Sequence, residues 1–490
     1  MFARKSNINS AMVLKVLGWP LMIEAVFMIL PLLISLLYDE VSIAKEFLKA
    51  IIITGGVGAL MAMCIRPKSV EMHKREGFLL TAMVWILFTV FGMLPFMFSG
   101  CINNVADAFF ETMSGFTTTG ATILSDVESV PKGLLFWRAL IQWIGGMGII
   151  LFALAVIPML NHAGGIQLFN AEVTGITHDK LRPRISQTAK GLWLVYIILS
   201  ILMILLLWAG PMNLFDSVCH TFATLSTGGF STSNSSVGGW NSYYIDSIVI
   251  LFMFLGGTNF SLLYIAFHGK PKQLLKNNVF RAYLLVNIIA TLLCFAAQYI
   301  NNPNIDLTRG FMTSAFQVVS GFTSTGFVID DFGAWGQFPL MILMLLMFIC
   351  ACAGSTTGGV KLDRVMVLMK HVKNEINHVL HPNLITTVRL NDKVVQYEAV
   401  QKIMAFLSIY VIILLLSVTI ITIYGISCVD ATFMTLSALG DVGYGYGVTK
   451  GGLYVTLPDL VKWIMSFDML IGRLELFTVL ILFTKGFWVK

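Results

Sequence analysis

Charged side chains are scarce in this chain: 12% of its 490 residues are Asp, Glu, Lys or Arg, while 57% are apolar. A soluble domain carries about a quarter charged residues, so a surface facing water throughout is excluded. Cysteine is also sparse. The seven, at 64, 101, 219, 294, 350, 352 and 428, stand singly or as Cys350-x-Cys352, which gives neither zinc-ligand spacing nor a disulfide framework. No His/Asp/Glu cluster or nucleophile motif falls in the apolar runs, which removes a membrane-embedded enzyme. His371, His378 and His381 share one polar segment, open to a metal or to simple solvation. Arg4 and Lys5 precede an apolar run like a signal sequence, but no small-x-small site closes it, and Pro20 and Glu24 lie inside it. An uncleaved helix is expected there.

What the chain has is hydrophobic length. Mean hydropathy is +0.82, and apolar runs occupy roughly 16–38, 47–65, 78–98, 134–160, 192–209, 245–267, 283–300, 338–352, 403–424 and 460–483. Most reach the ~20 residues that a spanning helix needs. The last holds Lys462, Asp468, Arg473 and Glu475 and is the least apolar. Most of the 32 Lys and Arg fall in alternate connections, including Arg66, Lys68, Lys74 and Arg75, then Lys180, Arg182, Arg184 and Lys190, then Lys270, Lys272, Lys276 and Arg281. By the positive-inside rule those connections and both termini are cytoplasmic. The net charge of +6 therefore reads as loop bias, and nucleic acid is not an expected partner.

The opposite connections repeat one text four times: 110–120, 218–228, 316–326 and 433–443. A small residue (Gly115, Ala223, Gly321, Ala438) precedes each final glycine by five, and Thr119, Thr227, Thr325 or Val442 stands directly before it. The final glycines, Gly120, Gly228, Gly326 and Gly443, are 108, 98 and 117 residues apart, room each time for two spanning helices. The fold expected is an all-α polytopic membrane protein. It has four pseudo-symmetric repeats of helix, half-spanning pore helix, filter loop and helix around a central pore, with two extra N-terminal transmembrane helices. Expected boundaries are 1–70 for the extension, then 71–165, 166–270, 271–380 and 381–490. Irregular backbone at membrane depth survives only buried in protein or lining a watery cavity. Glycine suits a turn whose carbonyls face an ion, and helix C-termini aimed at the cavity favour a cation.

The motifs Phe-Thr-Thr-Thr-Gly-Ala (116–121), Ser-Thr-Gly-Gly-Phe-Ser-Thr (226–232), Ser-Thr-Gly-Phe (324–327), Leu-Gly-Asp-Val-Gly-Tyr-Gly (439–445), Ala-Gly-Ser-Thr-Thr-Gly-Gly-Val-Lys (353–361) and Gly-Arg-Leu-Glu-Leu-Phe (472–477) carry a resemblance. The chain resembles the TrkH-type subunits of the Trk/Ktr/HKT superfamily of cation transporters over nearly its whole length. That resemblance implies a bacterial cytoplasmic-membrane potassium uptake pore, with K+ as the transported and filter-bound ion and no organic cofactor on this chain. It also implies a homodimer in the lipid bilayer and a cytoplasmic TrkA-type nucleotide-binding regulator. The implied filter is Thr118, Thr119 and Gly120; Ser226, Thr227 and Gly228; Ser324, Thr325 and Gly326; and Asp441, Val442 and Gly443.

Gly354, Ser355, Thr356, Thr357, Gly358 and Gly359 interrupt the run that begins near Phe338. They are no phosphate loop, since Lys361 follows Val360 and no strand precedes them. The helix must break there, as a gating loop beneath the filter or as a kink packed on neighbours. Arg473 inside an apolar run costs at least ~2.5 kcal/mol on insertion scales; it faces the pore, as the resemblance implies, or pairs with Glu475 or Asp468. Asp441 departs from the neutral residue that TrkH-type fourth loops commonly carry. Its carboxylate either approaches the filter or serves behind it as a strut. Tyr444 and Tyr446 depart from the usual fourth-loop text as well. A gated channel and a secondary symporter coupled to protons or sodium both remain open.

Overall fold

The structure is a computed structural model describing residues 8–67, 73–156, 185–383, 386–391 and 393–488. Arg4, Lys5, Lys68, Lys180, Arg182, Arg184 and the expected boundaries at 70/71 and 165/166 lie outside them. Six helices among the described residues are long and apolar enough to cross a bilayer: Ser10–Leu37, Val41–Cys64, Arg75–Phe98, Lys190–Trp208, Asn278–Asn301 and Tyr397–Thr422. Less than half of each apolar window is buried within the protein. Side chains such as Leu33, Ile52, Ile201, Leu292 and Leu416 stay exposed, and hydrocarbon is the solvent that such surfaces require. This is an integral membrane protein.

Four repeats follow the first two long helices. Each has a long helix and then a short one: Val105–Phe116, Leu214–Leu225, Leu307–Phe322 and Cys428–Leu439. The short helices start where the sequence supplies an N-cap. Asn104, Asn213, Asp306 and Ser427 accept hydrogen bonds from the backbone N–H of Ala106, Asp216, Arg309 and Asp430 respectively, satisfying donors that a helix start leaves orphaned. Asp107, Asp216 and Asp430 add negative charge to three first turns, where the helix dipole favours it.

The helix after each loop is where the repeats diverge. In the first it runs through Lys132–Val156. In the second, Tyr243–Gly256 turns by 105° into Phe260–Phe267. In the third, Gln337–Ile349 stops at Cys350 and helix resumes only at Leu362–Leu380. In the fourth, Asp459–Leu474 ends at Glu475, whose φ is 62°, before the short Leu476–Leu480. The apolar run 460–483 is thus a broken element and no single spanning helix. Arg389–Leu390 and Lys393–Val394 pair as a two-stranded antiparallel ribbon.

Helices Ser10–Phe27 and Val41–Cys64 approach backbone to backbone. A Cβ added to Gly18 would sit 2.5 Å from the carbonyl oxygen of Gly58 and 2.6 Å from the amide nitrogen of Ala62, the small-residue contact that lets helices associate in lipid. Substituting Gly18→Leu forces the pair apart and is expected to cost about 1–3 kcal/mol. Thermal unfolding in detergent should show a lowered midpoint, while Gly56→Leu, which meets nothing within 4 Å, should leave it in place.

Candidate functional site

The four short helices deliver their C-termini to one place, and the turns there share a geometry. Thr118, Thr227, Ser324 and Asp441 have φ of 61°, 55°, 52° and 52°. Two residues on, Gly120, Gly229, Gly326 and Gly443 have φ of 86°, 73°, 79° and 76°. A Cβ on Gly120 would overlap the carbonyl oxygen of Gly228; on Gly229, that of Thr325; on Gly326, that of Val442; and on Gly443, that of Thr119. Each turn thus leans its glycine on the backbone of the next, and the fourth closes on the first. The chain forms a ring of backbone in which a side chain at any of the four glycines would collide with main chain.

This geometry corrects the expected alignment of the second loop by one residue. Gly229, and not Gly228, matches Gly120, Gly326 and Gly443. The amides of Gly228 and Gly229 reach the Ala223 carbonyl at 2.8 and 3.4 Å, as those of Thr119 and Gly120 reach Ser114 at 2.9 and 3.4 Å and those of Thr325 and Gly326 reach Ser320 at 2.9 and 3.5 Å. Ser226 falls back to the helix-ending position of Thr117, Thr323 and Gly440. A tandem glycine fits either register as text, and only the left-handed backbone separates the two. The sequence did hold a signal: an aromatic ring, Phe230, Phe327 or Tyr444, follows Gly229, Gly326 and Gly443 directly.

Behind the ring stand residues that sequence reasoning missed. Glu111 and Arg138 form a buried ion pair, Nε to Oε1 2.8 Å. Glu111 also accepts from the Ile123 amide at 2.9 Å and the Thr122 hydroxyl at 3.0 Å, while Arg138 reaches Thr122 Oγ1 and the Ser231 carbonyl. Paired and hydrogen-bonded, these charges tie the first two loops together, and removing one alone would strand the other. Gln142 donates to the Gly228 carbonyl and accepts from the Phe230 amide. Tyr444 donates to the backbone and side-chain oxygens of Gln317, both at 3.0 Å, bracing loop four against the third short helix.

Below the ring lies the interrupted segment, non-helical from Cys350 to Lys361 and so wider than 354–359. The broken helix of the second repeat receives it: the Asn259 amide group donates to the Ala353 carbonyl at 2.7 Å, the Phe260 N–H to Gly354 and the Cys352 N–H to Gly257. The Thr227 hydroxyl donates to Thr356 Oγ1 at 3.1 Å, and the Gly358 N–H donates to Ser324 Oγ at 3.2 Å. Arg473 donates to Thr118 Oγ1 at 3.2 Å, to the Thr356 carbonyl and, at 2.7 Å, to the Gly145 carbonyl. It sits under the ring on the segment. The alternative partners are engaged elsewhere: Glu475 forms an ion pair with Arg364, and Asp468 accepts from Ser417 at 3.0 Å. Buried Lys361 donates back to the Thr357 carbonyl and hydroxyl.

The TrkH family model, described as a cation transport protein, matches residues 43–488. The chain belongs to this family. It is 36% identical over 464 residues to the Trk system potassium uptake protein TrkH of Escherichia coli strain K12, spanning 94% of this chain and 95% of that one. It is 35% identical over 482 residues to the TrkH of Halomonas elongata, spanning 98% and 99%. Its fold is similar to the crystal structure of the potassium transporter TrkH from Vibrio parahaemolyticus, with a TM-score of 0.87, 31% identity and coverage of 98% of this chain and all of that one.

The corrected register of this TrkH chain has a measurable consequence. Gly229→Ala places a methyl group against backbone at a left-handed φ and should destabilise by about 3 kcal/mol or more. At Gly228 the φ is ordinary and the obstacle, 2.5 Å away, is the end of the Gln142 side chain, so Gly228→Ala should cost roughly 1 kcal/mol. Thermal unfolding of the two purified variants ranks them; equal losses would contradict the register.

Proposed function

We propose that this chain takes up potassium through a gated, channel-like pore, with the ring of four loops as selectivity filter and the 350–361 segment as gate. The observation that carries the reading is the cyclic backbone closure at Gly120, Gly229, Gly326 and Gly443. Four short helices ending on one ring direct their partial negative charge there, and a rigid ring of backbone is the material from which cation filters are built. Supporting it, the relatives from Escherichia coli and Halomonas elongata are named for potassium uptake. The filter positions become Thr118, Thr119 and Gly120; Thr227, Gly228 and Gly229; Ser324, Thr325 and Gly326; and Asp441, Val442 and Gly443.

Gating fits the same contacts. Thr356 and Gly358 touch the second, third and fourth loops, and Arg473 links the first to Thr356. A guanidinium on that path repels cations until the segment moves. The lipid host is the bacterial cytoplasmic membrane, with N- and C-termini cytoplasmic. The assembly is a homodimer with one pore per subunit, and its regulator is a cytoplasmic TrkA-type nucleotide-binding ring; the relatives' designation as parts of a Trk system supports a multi-component assembly. A symporter coupled to protons or sodium is the competing reading, favoured by the interrupted helices of the second and third repeats, a habit of secondary transporters.

Reconstitution into liposomes under an imposed voltage decides between them. Potassium and rubidium should move down the electrochemical gradient with no accompanying proton or sodium flux; obligatory co-movement would establish the symporter. Gly326→Ser is expected to lower potassium-over-sodium discrimination by roughly tenfold, about 1.4 kcal/mol, and unchanged permeability ratios would remove the loop from the filter. Deleting Gly354 to Gly359 should raise flux in the absence of any regulator, whereas unaltered flux would reduce the segment to a packed kink.

A further inference from the structure

Among the four left-handed residues that open the turns, three carry hydroxyls and the fourth a carboxylate. All four are buried, and all four face the same way. Thr118 meets Arg473, Thr227 meets Thr356 and Ser324 meets the Gly358 amide. Asp441 divides its two oxygens. Oδ1 accepts from Thr119 Oγ1 at 3.0 Å, a strut from the fourth loop to the first. Oδ2 accepts no hydrogen bond among the described residues and is turned toward the segment below. A Cβ on Gly358 would overlap it, and one on Gly472, next to Arg473, would lie 3.2 Å away. The cationic groups whose fields reach this carboxylate are Arg473 and Lys361, both tied to the gating segment by hydrogen bonds to Thr356 and Thr357.

A buried carboxylate oxygen without a donor is costly unless a cation compensates it. In the present arrangement the Arg473 guanidinium and the Lys361 ammonium provide the neighbouring charge, and Gly358 packs against the open oxygen. If the segment withdraws, taking its contacts away, the carboxylate is left at the mouth of the ring beside three hydroxyl oxygens. We propose that Asp441 Oδ2 is then a ligand for a monovalent cation, forming with Thr118, Thr227 and Ser324 a negatively charged site immediately beneath the ring. The inference rests on the pore reading above and adds a site to it: where the other three loops offer neutral oxygens, the fourth contributes a charge that concentrates cations at the inner mouth. Glycine at 358 suits the seated segment, because a side chain there would collide with Asp441 Oδ2 and the Gly440 carbonyl.

The test compares wild type, Asp441→Asn and Asp441→Glu, each also carrying the Gly354 to Gly359 deletion. Single-molecule currents are recorded in potassium chloride at about 0.01 M, where the Debye length is about 30 Å, and at about 1 M, where it is about 3 Å. In parallel, the rise in melting temperature produced by potassium chloride over choline chloride is measured. Asp441→Asn is expected to lower conductance at least threefold at low salt and little at high salt, and to lose most of the potassium-specific thermal shift; Asp441→Glu should restore much of both. Equal conductance and equal shifts would overturn the site. So would a loss of conductance that is the same at both concentrations with an unchanged potassium shift, which would leave Asp441 as a strut only. If the wild-type protein passes no current, the pore reading falls instead, and the thermal shift alone decides: a reduced shift in Asp441→Asn upholds the cation site, an undiminished one overturns it.

Discussion

Backbone resting on backbone is the constraint from which this molecule is organised. At each of four turns a glycine takes a left-handed conformation and abuts the carbonyl of the neighbouring turn, so the main chain of four segments far apart in sequence closes into a ring with no side chains between. The ring cannot be assembled from independent loops. It needs four short helices ending at the same depth, and therefore four repeats arranged about one axis, with the first two helices packed outside. The N-caps at Asn104, Asn213, Asp306 and Ser427 matter for the same reason: they fix where each short helix starts, and a helix of given length then fixes where its turn falls.

Polar groups inside a membrane protein must find partners, and here the partners define the parts. The Glu111–Arg138 pair saturates its hydrogen bonds on the first and second loops and holds them from behind. Tyr444 holds the fourth loop to the third short helix. The interruption after Ile349 frees a run of backbone N–H and C=O groups, and the neighbouring break at 257–259 takes up several of them. The two broken helices therefore form one feature: each supplies what the other leaves unsatisfied. Arg473 belongs to the same network, since its guanidinium, a rigid fork of donors, spans the first loop, the segment and the Gly145 carbonyl at once.

Much of this was legible in the residues. The apolar runs predicted the long helices, the fourfold text predicted the repeats, and the glycines and hydroxyls at 354–359 predicted an interrupted helix. The register of the second loop was not legible from the spacing used, because Gly228 and Gly229 are interchangeable as letters and differ only in φ. Nor was the bend after Gly256, since Gly-Gly-Thr-Asn inside an apolar run is compatible with a continuous helix until a neighbour's carbonyls draw Asn259 away. Glu111 lies in the first short helix and Arg138 and Gln142 in the helix after its loop, and the meeting of Glu111 with Arg138 and of Gln142 with the second loop is a property of packing.

What the sequence by itself determined is whatever depends on local composition and on order along the chain: that lipid is the solvent, that there are four half-spanning helices, and that glycine must stand at the turns. The tertiary structure decided which glycine closes the second turn, which partner Arg473 takes, and how Asp441 divides its two oxygens between Thr119 and the segment beneath the ring. The physical reason is one of range. Helix formation and transfer into lipid are summed over neighbouring residues, whereas the ring and the seat of the interrupted segment are contacts between repeats, mostly about a hundred or more positions apart, fixed only when all four repeats have come together.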